Sequence, residues 1–169
     1  MLLTFHQQKS PPLATILWEL ERACFDKPWT LEQLDQETRK TGFLAFCSSA
    51  SGTLHSSATT VTGKDSITPG CDMDWQCYSI WNYQGADQLL ELYRIGVVPA
   101  ARNQGQGALH LHACLRFLKD TTPFKRVLLE VHSANTAARR LYSRTGFQEL
   151  YTRKNYYGKE SACVMEWSH

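Results

Sequence analysis

Chemistry first suggests itself at Arg102-Asn103-Gln104-Gly105-Gln106-Gly107-Ala108, which stands between a strand-like run and an amphipathic helical one. Such a loop presents unpaired backbone N–H groups at a helix N-terminus, where the partial positive charge of the helix favours an anion. Gly105 and Gly107 let a phosphate approach the backbone, and Arg102 adds a permanent charge. Two stricter phosphate-binding patterns fail. A dinucleotide fingerprint needs a third glycine where His110 stands, and a Walker A loop needs a Gly-Lys-Ser/Thr triplet that does not follow. The plainer alternative is a loop whose glycines serve only to turn the chain.

Glu130 lies inside Val127-Leu128-Leu129-Glu130-Val131, a run that reads as a strand buried on both faces. A carboxylate among such neighbours is a candidate general base. Equally open is a Glu130 at the strand's end, facing solvent or paired with an arginine such as Arg139 or Arg140. Tyr142 shares a helical stripe with Ala138 and Leu141, where a tyrosine is ordinarily a core residue with its hydroxyl at the rim. His110 and His112, two apart on a helix, point to different sides, so they share no metal ion and read as surface histidines. Ser51, Ser56 and Ser57 lack the setting of a nucleophilic serine. Asn155-Tyr156-Tyr157-Gly158 reads as an exposed turn whose tyrosines either grip a peptide or pack locally.

The elements that must carry these residues follow from periodicity. Leu13, Ile16, Leu17, Leu20 and Ala23 recur at helical spacing between Pro12 and Cys24. Thr30-Leu31-Glu32-Gln33 reads as a capping box that opens a second helix after the Lys27-Pro28-Trp29 turn. Strands are expected over Gly42 to Ser48 and Gln76 to Tyr83, with Thr53 to Val61 either extending the first or belonging to an insertion. Leu89 to Val98 is a further strand, and a helix follows from about Gln104 to Lys119. Arg126 to Val131 is a strand, and Ser133 and Asn135 are caps for a short helix ending near Arg144, stopped by Gly146. Phe147 to Tyr151 and Ala162 to Trp167 close the chain as strands, which implies an α/β sandwich around a central sheet.

Length and composition bound the rest. At 169 residues, 43% hydrophobic and 20% charged, the chain suits one packed domain over 1–169. Its regions are N-terminal helices over 1–40, a Ser/Thr-rich stretch over 41–88 and a core over 89–167. A net charge of +2 without a Lys/Arg run argues against direct nucleic-acid binding. Met1 to Pro12 has no signal-peptide pattern, and no apolar run reaches membrane-spanning length. The cysteines at 24, 47, 71, 77, 114 and 163 contain no C-x-x-C pair, which argues against zinc and for reduced thiols in a cytoplasmic protein.

Taken in order, Arg94-Ile95-Gly96-Val97 with Pro99, the R-x-x-G-x-G loop at Arg102 to Gly107, Leu129-Glu130-Val131 and Asn135-Thr136-Ala137-Ala138 form a recognisable series. It continues with Leu141-Tyr142, Gly146-Phe147, Lys154-Asn155-Tyr156-Tyr157 and Ala162-Cys163-Val164-Met165. The stretch from Leu92 to Met165 resembles the GNAT N-acetyltransferases, and within them the RimI-type enzymes that acetylate an N-terminal alanine of a ribosomal protein. Phe25 and Pro28-Trp29-Thr30 resemble the start of that branch.

The resemblance implies an α/β/α sandwich with a mixed, mostly antiparallel sheet of about six or seven strands, splayed beside the cofactor. It implies acetyl-CoA as cosubstrate, without a metal. Ile95, Gly96 and Val97 would hold the pantetheine and polarise the acetyl carbonyl. Arg102 and the loop from Asn103 to Ala108 (Asn103, Gln104, Gly105, Gln106, Gly107, Ala108) would bind pyrophosphate, and Asn135 would touch the cofactor farther along. Glu130 falls on the general base, Tyr142 on the general acid, and Tyr156 and Tyr157 on the acceptor side. The acceptor implied is a protein or peptide N-terminus. The long Thr41 to Gln88 stretch departs from relatives, and so do Asn103 and Gln106. It leaves room for a small amine or lysine acceptor, or for a non-catalytic acetyl-CoA-binding sensor.

Overall fold

A computed structural model describes residues 12–58, 74–157 and 160–168, apart from the side chains of Ser57, Ala58, Asn155 and Tyr157. In chain order come α1 (Leu13–Cys24), α2 (Leu31–Thr38), β1 (Phe43–Ser49), β2 (Leu54–Ala58), β3 (Trp75–Gln84) and β4 (Leu89–Val97). A short 3-10 turn (Pro99–Ala101) then leads to α3 (Gln106–Thr121), β5 (Arg126–His132), α4 (Thr136–Arg144), β6 (Gln148–Tyr157) and β7 (Glu160–Ser168). The strands form one sheet in the order β2-β1-β3-β4-β5-β7-β6. β4 and β5, joined through α3, are its parallel pair.

Both faces of the sheet are covered, each for a reason visible in the sequence. The apolar stripe of α1 puts Ile16, Leu17 and Leu20, with Leu34 of α2, against Phe43, Ala45, Tyr78 and Ile80. The inner stripe of α3 puts Leu111, Cys114, Leu115 and Leu118 against Phe46, Trp81, Leu90 and Leu92. Between the two helices of the first layer the capping box forms as expected. Gln33 N–H donates to Thr30 Oγ1 at 3.2 Å, and Thr30 N–H donates to Gln33 Oε1 at 2.8 Å. No helix among the described residues is long and apolar enough to cross a membrane.

Several expectations are corrected. Residues 54–58 do not extend β1: they fold back as a separate strand, Leu44 to Ser48 facing Ala58 to Leu54. Residues 59–61 of that candidate, and Cys71, lie outside the described residues. β5 is not buried on both faces, because α1 and α2 pack on β1 and β3 rather than on β5. Val127, Leu129 and Val131 are buried, while Leu128, Glu130 and His132 alternate to the more open side. Asn155 to Tyr157 are strand rather than turn, since β6 runs on to pair Tyr157 with Glu160, its register broken between Arg153 and Tyr157. Asn135 alone caps α4; Ser133 Oγ is buried without a hydrogen-bond partner among the described residues.

His110 is a core residue, not a surface one, and is 2% exposed. Its ring lies between the Ser48 hydroxyl on Nδ1 and the Ser79 hydroxyl on Nε2, each at 2.9 Å. Burial pushes its pKa down to about 3, so the ring is neutral. The signal was present: His110, Leu111, Cys114 and Leu118 fall on one helical stripe.

Candidate active site

β4 and β5 pair from Leu89–Arg126 to Leu92–Leu129 and then part. Past that point β4 stays on β3, through Ile95–Ser79, Gly96–Tyr78 and Val97–Cys77, while β5 pairs with β7. The cause is local. Tyr93 is an extra residue in β4 opposite the step from Ile80 to Trp81, and a bulge of this kind bends and twists its strand. Ile95, Gly96 and Val97 therefore turn their β5-facing backbone edge to a gap. Gly96 tolerates no side chain, since a Cβ there would collide with the Tyr78 ring and meet Cys24 Sγ.

The loop that follows is shaped by two left-handed residues, Asn103 at φ 61° and Gly105 at φ 79°. Among the described residues no backbone hydrogen bond uses the N–H groups of Asn103, Gln104, Gly105, Gln106 or Gly107, whereas Ala108 N–H already reaches Gly105 O at 3.0 Å. Unpartnered N–H groups converging on a helix start suit a pyrophosphate. Gly107 lets α3 pack closely: a Cβ would stand 3.3 Å from Val97 Cγ2 and 3.4 Å from Leu141 Cδ2. Arg102 donates from Nε to Val97 O at 3.1 Å and from Nη2 to Cys24 O at 2.8 Å, so it braces the loop as well as lending it charge. Gln104 donates to Ala100 O at 2.7 Å, and Asn135 Oδ1 accepts from Ala138 N–H at 3.1 Å as the cap of α4.

Glu130 is the first β5 residue past the last rung with β4, and it emerges on the side of the sheet that carries α1. It lines a groove of about 470 Å³ with Trp29, Tyr93, Arg153 and Tyr156 among its walls. Its carboxylate accepts from Arg153 of β6, not from Arg139 or Arg140; Arg139 is held by Glu149. The Arg153 guanidinium also lies 4.5 Å above the Tyr156 ring. The backbone of Tyr157 continues the strand, and its side chain is outside the described residues. Tyr142 approaches from the other side. It is buried in the core that holds Leu92, Leu129 and Val131, with its ring 5.8 Å from Phe147. The structure thus brings Glu130 and Tyr156 into one groove and keeps Tyr142 in the opposite layer, on the helix that packs against the glycine loop.

The sequence profile of the acetyltransferase (GNAT) family matches residues 14–147, which takes in the helices, the splayed pair and the glycine loop. The chain belongs to the acetyltransferase (GNAT) family. Among curated GNAT relatives, a mycothiol acetyltransferase of Salinispora tropica is 39% identical over 72 residues, 43% of this chain and 24% of that protein. A ribosomal protein-alanine N-acetyltransferase of Haemophilus ducreyi is 34% identical over 79 residues, 44% of this chain and 54% of that protein. The chain thus matches about a quarter to about half the length of these relatives. The fold is shared with the ribosomal-protein-alanine N-acetyltransferase of Escherichia coli, at a TM-score of 0.68 and 21% identity over 95% of this chain and 91% of that one. Sequence reasoning missed two residues that line this groove, Arg153 and Tyr93. Arg153 and Glu130 belong to different strands with β7 between them, so no local pattern joins them.

Proposed function

We propose that this chain transfers the acetyl group of acetyl-CoA to the N-terminal α-amine of a protein, with a ribosomal protein beginning in alanine as the first acceptor to test. The observation that carries the reading is Glu130, placed past the last β4–β5 rung and opening into an aromatic-walled groove. When bound, acetyl-CoA would supply a thioester carbonyl as the electrophile. The N–H groups of Asn103 to Gly107 would hold its pyrophosphate, and the backbone edge of Ile95 to Val97 that does not pair with β5 would hold the pantetheine and stabilise the oxyanion. An α-ammonium must lose a proton before it can attack. Glu130 takes that proton at its carboxylate, directly or through water, once the ammonium has displaced Arg153. As the carbon–nitrogen bond forms and the carbon–sulfur bond breaks, Tyr142 would give its hydroxyl proton to the departing thiolate, and the second proton shed by the amine nitrogen would restore the phenol. Trp29, Tyr93 and Tyr156 would line the acceptor's path.

A second reading is acetylation of a small amine or a lysine side chain; one relative of the chain is named for mycothiol rather than for a protein acceptor. A third, a non-catalytic acetyl-CoA sensor, has less behind it, because both proton-transfer residues are present. One assay separates the three. The chain is incubated with acetyl-CoA and either peptides with free first residues, including Ala-Arg starts, polyamines, or lysine peptides blocked at the N-terminus, and thiol release is followed. Release that needs a free peptide α-amine is the expected result. Release only with amines or lysines would replace the reading with the second, and binding without release with the third.

A further inference from the structure

A charged residue is fully buried where no step of the reaction uses it. Glu21, on the inner face of α1, has a side chain with no exposure. Its Oε1 accepts from Arg94 Nε at 2.8 Å and from the Tyr78 hydroxyl; its Oε2 accepts from Arg94 Nη2 at 2.9 Å and from Trp29 N–H at 2.9 Å. Four donors fill what a carboxylate can accept. Arg94 also donates to Lys27 O at 3.2 Å, and its guanidinium lies 4.2 Å from the Phe25 ring centre and 5.2 Å from that of Trp29. Among the described residues, each hydrogen bond that ties residues 25–30 to α1 or to the sheet through a side chain passes through Glu21 or Arg94.

Such a pair is a poor device for stability alone, because desolvation of two charges offsets much of their attraction and apolar residues of like size would serve as well. What it supplies is direction. Trp29 lies on one side of it and forms a wall of the groove, and Arg94 follows Tyr93, the bulge residue that forms another. We propose that Glu21 and Arg94 are positioning residues for the acceptor, which hold the Trp29 wall at a set distance from Tyr93 and Glu130 and so fix the room left for the acceptor's first side chain. The assignment rests on the groove being the acceptor site. On that assignment, loosening the clamp admits larger first residues than the intact wall allows.

The test uses the full chain with three variants: Glu21→Gln; the apolar double replacement Glu21→Met with Arg94→Leu, which removes the buried charges together and keeps the bulk; and Trp29→Ala, which removes the wall itself. Peptides beginning with Gly, Ala or Ser are compared with peptides beginning with Leu or Phe at saturating acetyl-CoA, and KM for acetyl-CoA is measured separately. Wild type should favour small first residues. Each variant should shrink the small-to-large ratio of kcat/KM by about tenfold, while KM for acetyl-CoA stays within about twofold. Arg94→Lys, which keeps the charge and loses the fork, should fall between. Folded variants that keep the wild-type ratio, or that move both KM values alike, would overturn the assignment. A wild type active on peptides with unchanged ratios in the variants would remove this inference alone; a wild type silent on every peptide would remove the acceptor reading and this inference with it.

Discussion

At the scale of single residues, the pair Glu130–Arg153 would set the terms of the proposed reaction. In the proposed reaction the acceptor ammonium and the Arg153 guanidinium compete for the same carboxylate, and the pair is partly exposed, so water weakens its hold. Arg153→Gln should therefore lower KM for the acceptor by about threefold or more, with KM for acetyl-CoA unchanged, in a steady-state titration of each substrate. A rise in acceptor KM would show instead that Arg153 contributes to acceptor binding. Glu130→Gln removes the proposed proton acceptor and keeps the shape. It should cut kcat/KM by roughly 10² to 10³, with thermal unfolding little changed. Turnover that survives this change would reassign the base.

Elements decide where those residues meet. The bulge at Tyr93 parts β4 from β5, and the gap it opens is bordered by the glycine loop at the start of α3. Gly107 permits that loop to sit against Val97 and the α4 residue Leu141. Gly107→Val would push the start of α3 outward. We expect KM for acetyl-CoA to rise by about tenfold or more with acceptor KM little changed, since Glu130 and Trp29 belong to other elements. Equal losses for both substrates would mean that the loop and the groove are not separate parts.

For the molecule as a whole, the two helix layers are tied to the sheet by buried polar groups, Glu21 on one face and His110 on the other. His110 is neutral when folded, its pKa lowered by burial to about 3 from an ordinary 6.5. Above about pH 6.5 neither folded nor unfolded chains carry the proton, so the group makes stability independent of pH there. As pH falls below that value the unfolded chain binds a proton that the folded one refuses, and stability drops by about 1.4 kcal/mol per pH unit until pH nears 3. Urea midpoints measured between pH 7.5 and pH 5 should show this slope, and His110→Gln should flatten it; an unchanged slope in the variant would assign the acid sensitivity to other groups. The order of helices and strands was legible in the sequence, because amphipathic stripes, the Thr30 cap and the Asn135 cap act within a few residues of themselves. Glu130 and the loop from Arg102 to Ala108 could be named from local pattern and family resemblance for the same reason. The run 126–132 misled because its apolar residues do not say which face a helix will cover, and His110 misled because polarity outweighed its place on a stripe. Sequence by itself thus determined most of the elements, the family and the candidate chemistry. Tertiary structure alone decided that Arg153 meets Glu130 across an intervening strand, that Glu21 gathers donors from three separate segments, and that the groove lies open on one face of β5. Those are contacts between residues far apart in the chain, and only the packing of the sheet and its two helix layers brings them within reach of a hydrogen bond.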